Sequence, residues 1–158
     1  MLIAVVSDTH RIDRYIDVVK KKIASSDILI HLGDNVDDVE KLSDGFKGEV
    51  YAVLGNCDYS SEYPTERVID INGVKIFATH GHNYNVKYGL NNIYYKTKEV
   101  GADIGLFGHT HQELIIKENG ILLMNPGSPS LPRGRGRSIG FISINDEKDI
   151  EARLECIE

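Results

Sequence analysis

Residues 2–10 read LIAVVSDTH, an aliphatic run followed by an acidic residue and an imidazole. A short, continuous apolar run is typical of a strand that is covered on both faces of its sheet. Four more apolar runs lead into clusters of metal-capable side chains: Gly33-Asp34, Gly55-Asn56, Thr79-His80-Gly81-His82 and Gly108-His109-Thr110-His111. In an open α/β sheet the carboxyl ends of the strands share one edge, where ligands bind. The five clusters are therefore predicted to converge there and to hold divalent metal ions.

The first half of the chain alternates predicted strands with predicted helices. Apolar patterning predicts strands over residues 2–6, 28–32 and 50–54 and helices over residues 14–24 and 37–42. Asp13 is well placed to be the N-cap of the first helix. This alternation indicates a parallel sheet with right-handed crossovers.

The pattern of the second half of the chain indicates β-hairpins rather than alternating strands and helices. Asn72-Gly73 and Asn119-Gly120 are strong hairpin signals, each between two apolar runs. Strands are predicted over residues 67–71, 74–78, 104–107, 113–117, 121–124, 138–144 and 150–156, with a helix over 90–100. We expect two sheets packed face to face with helices outside, in a single domain spanning residues 1–158. Residues 126–136, rich in Gly, Pro and Arg, are predicted to be a surface loop near the ligand edge.

Composition narrows the range of functions. A chain of 158 residues has the size of one domain, and a formal net charge of −6 argues against a general nucleic-acid-binding protein. A small phosphorylated substrate stays possible, because bound metal ions can invert the charge of a site. The apolar N-terminus is too short for a signal peptide, and no run of about 18 apolar residues predicts a membrane span. Cys57 and Cys156 do not form a disulfide pattern, so a cytoplasmic protein with reduced thiols is expected.

The order of these clusters resembles a known family. The motifs that carry the resemblance are Asp8-x-His10, Gly33-Asp34, Gly55-Asn56-Cys57-Asp58, His80-Gly81-His82 and Gly108-His109-Thr110-His111. They are similar to those of the calcineurin-like metallophosphoesterase superfamily. Together with the small size and Asn125-Pro126-Gly127-Ser128, they most resemble its compact YfcE-type phosphodiesterase branch. The resemblance implies an α/β fold, a four-layer α/β/β/α sandwich of two mixed sheets.

The resemblance also implies two metal sites. Asp8, His10 and His111 would hold the first ion, and Asn56, His80 and His109 the second. Asp34 would bridge the two ions, and a hydroxide shared by them would attack the phosphorus of a phosphodiester or an activated aryl phosphate. The ligands are nitrogen and oxygen, so Mn²⁺ is favoured, with Ni²⁺, Fe²⁺, Co²⁺ and Zn²⁺ as alternatives.

Other polar residues near these motifs have less definite predicted roles. His31, inside a strand, is predicted to be a hydrogen-bonded core residue, and Asp58 to steady the Asn56 loop. His82 is a candidate for a substrate contact or for a structural role. Arg133 is a candidate anion clamp, although the arginine-rich segment around it also suits a solvated loop. Several tyrosines are predicted to pack or to form an interface, which makes a homo-oligomer plausible.

Cys57 departs from the pattern of the superfamily, because many members carry His at this position. An imidazolium donates a proton and stabilises negative charge better than a thiol does. We therefore predict a preference for phosphodiesters or activated aryl phosphates over alkyl phosphomonoesters, with Cys57 as a passive loop residue as the open alternative. The predicted catalytic group is Asp34, Asn56, Cys57 and His82.

Two other functions compete with the enzyme. One is a non-catalytic interaction scaffold like Vps29, which resembles this fold but has an incomplete ligand set. Here every ligand position is filled. The other is a lone structural metal site, but seven candidate ligands exceed what one tetrahedral ion requires.

Overall fold

A computed structural model describes residues 1–59 and 62–157 of the chain. Within these residues ten strands form two five-stranded sheets. The first sheet consists, in spatial order, of β10 (Ile150–Cys156), β9 (Ser138–Ile144), β1 (Leu2–Val6), β2 (Ile28–His31) and β3 (Glu49–Ala52). The pairs β1–β2 and β2–β3 are parallel, whereas β9 is antiparallel to both of its neighbours.

The second sheet is also mixed. In spatial order it consists of β4 (Glu66–Ile71), β5 (Val74–Thr79), β6 (Ile104–Leu106), β8 (Ile121–Asn125) and β7 (Leu114–Glu118). Strands β5, β6 and β8 are parallel, and the hairpins β4–β5 and β7–β8 add the antiparallel edges. Both predicted Asn-Gly turns are present with positive φ at Asn72 and Asn119, as a type I′ turn requires.

Helices cover the outer faces of the two sheets. They are α1 (Asp13–Ile23), α2 (Asp38–Ser43) and α3 (Asn91–Glu99), with one 3₁₀ turn at His82–Tyr84. Alternate residues of β1 show the layering: Ile3 and Val5 pack between the sheets, while Ala4 and Val6 pack in the cluster that includes Ile16 of α1. Burying an isoleucine side chain stabilises the fold by about 1.5–3 kcal/mol. Because both faces of β1 are covered, its sequence is continuously apolar, and the predicted sandwich of two mixed sheets with helices is confirmed.

One local prediction was wrong, and another was right only in part. Helix α1 begins at Asp13, with Ile12 in the N-cap position and no side-chain cap. The Asp13 carboxylate instead accepts a hydrogen bond from Lys41 Nζ. In the predicted surface loop, residues 126–130 are buried, and only residues 131–136 reach the surface. Inside the fold the Pro126 carbonyl oxygen, the Ser128 hydroxyl and the Ser130 N–H form hydrogen bonds. Among the described residues, no helix combines the length and apolarity needed to cross a bilayer.

Candidate metal centre

Loops at the carboxyl ends of the strands bring the predicted ligands together. Two groups form, and the ligand atoms within each lie within 4.8 Å of one another: Asp8, His10, Asp34 and His111 in the first, and Asp34, His80 and His109 in the second. The first group joins the loops after β1, β2 and β6, and the second joins those after β2, β5 and β6. Asp34 is the member that both groups share.

The distances within the groups suit ligands around a cation. In the first group, His111 Nε2 lies 3.2 Å from Asp8 Oδ1 and 3.2 Å from His10 Nε2. In the second group, His80 Nε2 lies 3.4 Å from Asp34 Oδ1 and 3.2 Å from His109 Nδ1. Lone-pair nitrogens and carboxylate oxygens therefore converge at both places.

Backbone carbonyls fix which imidazole nitrogen faces the centre. His80 Nδ1 donates to the carbonyl oxygen of Leu32 at 2.7 Å, and His111 Nδ1 donates to that of Leu131 at 2.6 Å. The Nε2 atoms of both rings are left facing the carboxylates. This arrangement, in which the second nitrogen of a ligand histidine donates to a carbonyl, is the usual one for metal-binding histidines.

Asp8 gives the clearest sign that the centre fits a cation. Its Oδ2 accepts hydrogen bonds from Ser7 Oγ at 2.6 Å and from the His109 N–H at 3.0 Å. Its Oδ1 is buried and has no hydrogen-bond partner. An unpaired buried carboxylate oxygen is costly, and a divalent ion would satisfy it. The donor set of nitrogen and oxygen atoms fits such an ion.

The carboxylates and imidazoles of the centre shift one another's pKa values. Burial opposes ionisation of Asp8, but the nearby imidazoles of His10 and His111 outweigh it and hold the Asp8 pKa well below its usual range. Burial likewise opposes protonation of His80 and His111, but contacts with Asp34 and Asp8 outweigh it and raise both histidine pKa values. Without a metal ion, imidazolium protons therefore balance the two carboxylates.

His109 behaves differently from these two histidines. Burial, together with the charge of His80, lowers the pKa of His109 to about 4. Its ring is neutral near pH 7 and presents Nδ1 to the second group as a ready ligand.

The loop after β3 lies against the shared carboxylate. The Cys57 N–H donates to Asp34 Oδ1 at 3.0 Å, and Asn56 Nδ2 lies 3.6 Å from Cys57 Sγ. Burial and the neighbouring Asp34 charge raise the pKa of the Cys57 thiol, so it is neutral near pH 7. Asn56 and Cys57 are both exposed. Asp58 ties this loop to the preceding one, since its carboxylate accepts from the N–H groups of Asp34 and Gly55.

His82 and Arg133 lie at the edge of the centre. The His82 ring centroid is 5.4 Å from that of His80 and 6.1 Å from that of His109, and its Nδ1 is buried without a partner. The Arg133 N–H donates to the His111 carbonyl oxygen at 2.9 Å, and its side chain is exposed. Both are thus placed beside ligands rather than among them.

Sequence reasoning missed the hydroxyls that support Asp8. Ser7 Oγ donates to its carboxylate, and Ser128 Oγ donates to its carbonyl oxygen at 2.7 Å. Ser128 also accepts from the Leu131 N–H at 2.9 Å, which helps to place the carbonyl group that orients His111. The available signal was the Asn125-Pro126-Gly127-Ser128 segment, which contributed to the family resemblance without any role for its serine.

Comparison with known families identifies the domain. The family model of the calcineurin-like phosphoesterase superfamily domain matches residues 1–147. A probable metallophosphoesterase of Methanocaldococcus jannaschii is 37% identical over 163 residues, covering 100% of this chain and 82% of that protein. The probable metallophosphoesterase YsnB of Bacillus subtilis is 36% identical over 151 residues, covering 94% of this chain and 86% of that protein.

Solved structures share the architecture. A Vps29 variant from Entamoeba histolytica aligns with a TM-score of 0.80 at 21% identity, covering 98% of both chains. The phosphoesterase YfcE from E. coli aligns with a TM-score of 0.71 at 23% identity, covering 100% of both chains. At these identities the likeness concerns the fold alone, which these proteins have in common.

Proposed function

The chain belongs to the calcineurin-like phosphoesterase superfamily, and from that premise we propose that it is a binuclear, metal-dependent phosphodiesterase. The observation that carries the proposal is the position of Asp34, whose carboxylate belongs to both groups of ligand atoms. A carboxylate has two oxygens, each of which can bind an ion, whereas a neutral imidazole has only one nitrogen with a free lone pair.

Each ion has its own set of proposed ligands. Asp8, His10 and His111 would hold the first, Asn56, His80 and His109 the second, and Asp34 both. When bound, a pair of ions lowers the pKa of a water molecule and stabilises charge on phosphoryl oxygens. Mn²⁺ is the proposed metal, and Ni²⁺, Fe²⁺, Co²⁺ and Zn²⁺ suit the same donors.

Residues around the centre set the proposed substrate class. The exposed Arg133 would pair with a phosphate oxygen, and His82 would contact substrate or orient water at the edge of the second group. Cys57 offers a neutral thiol rather than a cation near the leaving group. A small phosphodiester, which brings less negative charge than a phosphomonoester, or an activated aryl phosphate, whose leaving group needs little help from a general acid, suits this centre best. Because both exposed cysteines are free thiols, the cytoplasm is the proposed location.

Hydrolysis of bis-p-nitrophenyl phosphate tests the proposal. We expect turnover that requires Mn²⁺, stops with a chelator, and falls to background in Asp34→Asn. Asp17→Asn, which removes an exposed carboxylate of α1, is the matched control and should retain full activity. Near-normal turnover by Asp34→Asn with added metal would exclude a bridging role.

An interaction scaffold is the second candidate, favoured by the structural likeness to Vps29. Metal binding does not separate the two functions, since a Vps29 structure complexed with Zn²⁺ also shares this fold. Hydrolysis does separate them. If aryl diesters, cyclic nucleotides and nucleotides are all left intact with each of the metals named above, the scaffold function is favoured.

A further inference from the structure

His31, the last residue of β2, makes its polar contacts with the loops that carry candidate ligands. Its side chain is fully buried and belongs to neither group of ligand atoms. Its Nδ1 accepts a hydrogen bond from the Gly33 N–H at 3.1 Å, and its Nε2 lies 3.1 Å from Thr9 Oγ1. Thr9 stands between Asp8 and His10, and Gly33 precedes Asp34. One imidazole therefore contacts both loops.

The backbone donor determines the tautomer of the ring. The Gly33 N–H can only donate, so Nδ1 must present a lone pair and the proton of the neutral ring lies on Nε2. Nε2–H then donates to the Thr9 hydroxyl. Burial lowers the pKa of His31 to about 4, so this neutral form is present near pH 7. Both ring nitrogens are thus fully used in joining the two loops.

The loops that His31 joins have backbone conformations that need support. Asp8, His10 and Asp34 have φ values of 56°, 50° and 60°, in the left-handed region. Such conformations cost free energy for residues with a Cβ and persist only when surrounding contacts fix them. One backbone bond, from the Asp8 N–H to the Gly33 carbonyl oxygen at 2.9 Å, also joins the loops. The imidazole adds a side-chain link beside it.

We propose that His31 is a positioning residue that fixes the separation between the Asp8–His10 loop and Asp34, and so prepares the first metal site. The inference rests on the metal centre of the proposed function. A core residue that only filled volume would need no polar atoms. Both nitrogens of His31, however, form hydrogen bonds with the loops that carry candidate ligands. The second site takes Asn56, His80 and His109 from other loops and shares only Asp34 with the first group. The joined loops also contact it through the Leu32 carbonyl oxygen, which orients His80, and through the Asp8 carboxylate, which accepts from the His109 N–H.

Titration of the purified protein with Mn²⁺, followed by calorimetry and electron paramagnetic resonance, measures the affinity of each site directly. Thr9→Val removes the hydroxyl while keeping its volume, and His31→Asn is too short to join both loops. We expect the first site to weaken about 10–100-fold in each variant, the range seen when an outer-sphere partner is lost. The second site should weaken less. Thr9→Ser, which keeps the hydroxyl, should restore wild-type affinity.

A matched control separates positioning from general stability. Ile23→Ala opens a cavity under α1, in a different cluster from the ligand loops, and should lower the melting temperature without changing either Mn²⁺ affinity. The double variant Thr9→Val/His31→Asn should bind no more weakly than His31→Asn, because the two changes remove one shared bond.

Three results would overturn the inference. The first is a first-site affinity within twofold of wild type in Thr9→Val and His31→Asn. The second is a loss of first-site affinity in Ile23→Ala as large as in those variants at an equal drop in melting temperature. The third is a fully additive loss in the double variant. If His31→Asn does not fold, Thr9→Val and Thr9→Ser still decide the question. Wild-type protein that binds no Mn²⁺ would instead overturn the metal centre itself, and the positioning role with it.

Discussion

Gly55 shows how closely the backbone approaches the shared carboxylate. A Cβ at this position would lie 2.2 Å from Asp34 Oδ1 and 2.6 Å from the Asp34 nitrogen, both closer than real contacts allow. Gly55→Ala must therefore displace Asp34 or its loop. We expect the variant to lose at least about tenfold in Mn²⁺ affinity and to be destabilised by about 1–3 kcal/mol, as for other overpacked sites. Calorimetric titration and urea unfolding measure the two effects.

Gly136 provides the matched control for Gly55. A Cβ there would meet nothing within 4 Å, and its φ is outside the left-handed region. Gly136→Ala should match wild type in both measurements. Unchanged Mn²⁺ binding by Gly55→Ala would mean that close packing does not hold Asp34 in place.

Cys57 is the residue expected to shape substrate preference. Its thiol is neutral near pH 7, and its N–H donates to Asp34 Oδ1. Cys57→His would place a group that can carry positive charge beside the reaction, which favours the doubly charged phosphomonoester. We expect hydrolysis of an alkyl phosphomonoester such as glycerol phosphate to rise at least about tenfold relative to that of bis-p-nitrophenyl phosphate, because an alkoxide leaving group depends on general acid catalysis. An unchanged ratio would make Cys57 a passive loop residue.

The role of a single residue could be predicted where its residue type has few alternative roles. His31 and Asp58 were predicted to be a bonded core histidine and a support for the Asn56 loop, and the structure places them so. Ser7 and Ser128 were missed because a serine hydroxyl suits turns, caps and surfaces equally well. Only the fold shows that both hydroxyls point at Asp8.

Strands and hairpins were the elements that the sequence predicted best. Strands β1, β9 and β10 begin and end where their apolar patterns do, because each pattern reports which faces of the strand are covered. The start of α1 was predicted wrongly, because a carboxylate can cap a helix or pair with a distant cation. Asp13 pairs with Lys41 of α2, a partner that lies 28 positions away in sequence.

The burial of residues 126–130, which follow β8, could not be predicted from amino-acid composition, and the reason is physical. Gly, Pro and Ser are frequent in surface loops because their backbone groups need water or local partners. Residues 126–130 find partners inside the protein instead: the Pro126 carbonyl oxygen accepts from Ser138 Oγ, and the Ser130 N–H donates to the Ser128 hydroxyl. The bond to Ser138 joins residues on different elements, which local sequence cannot reveal.

Convergence of the ligands follows from strand direction in both sheets. The candidate ligands follow strands β1, β2, β3, β5 and β6, and parallel pairing in each sheet brings their carboxyl ends to the same edge. The sequence predicted this edge but not the spacing across it. In the first group, Asp8 follows a strand of one sheet and His111 a strand of the other, and Asp8 Oδ1 lies 3.2 Å from His111 Nε2. This distance depends on how the two sheets pack.

The charge balance of the whole centre makes stability depend on pH. Asp8 and Asp34 have pKa values lowered from 3.8, so their contribution to stability is present above that pH and is lost as the pH falls through the lowered values. His80 and His111 have pKa values raised from 6.5, so their contribution is present below that pH and is lost as the pH rises through the raised values. The metal-free protein should therefore lose stability above pH 6.5.

Metal binding should reverse this loss, because Mn²⁺ takes the place of the protons on His80 and His111 and binds more tightly as the pH rises. A ligand at 100 times its Kd stabilises by about 2.7 kcal/mol, which corresponds to a melting-temperature increase on the order of 5–10 °C for a domain of this size. We expect the increase caused by a fixed Mn²⁺ concentration to be larger at pH 8 than at pH 6, as measured by scanning calorimetry. Asp34→Asn should lose most of the increase at both pH values. An increase that is equal at the two pH values, or larger at pH 6, would mean that metal ions and imidazolium protons do not compete for the same ligands.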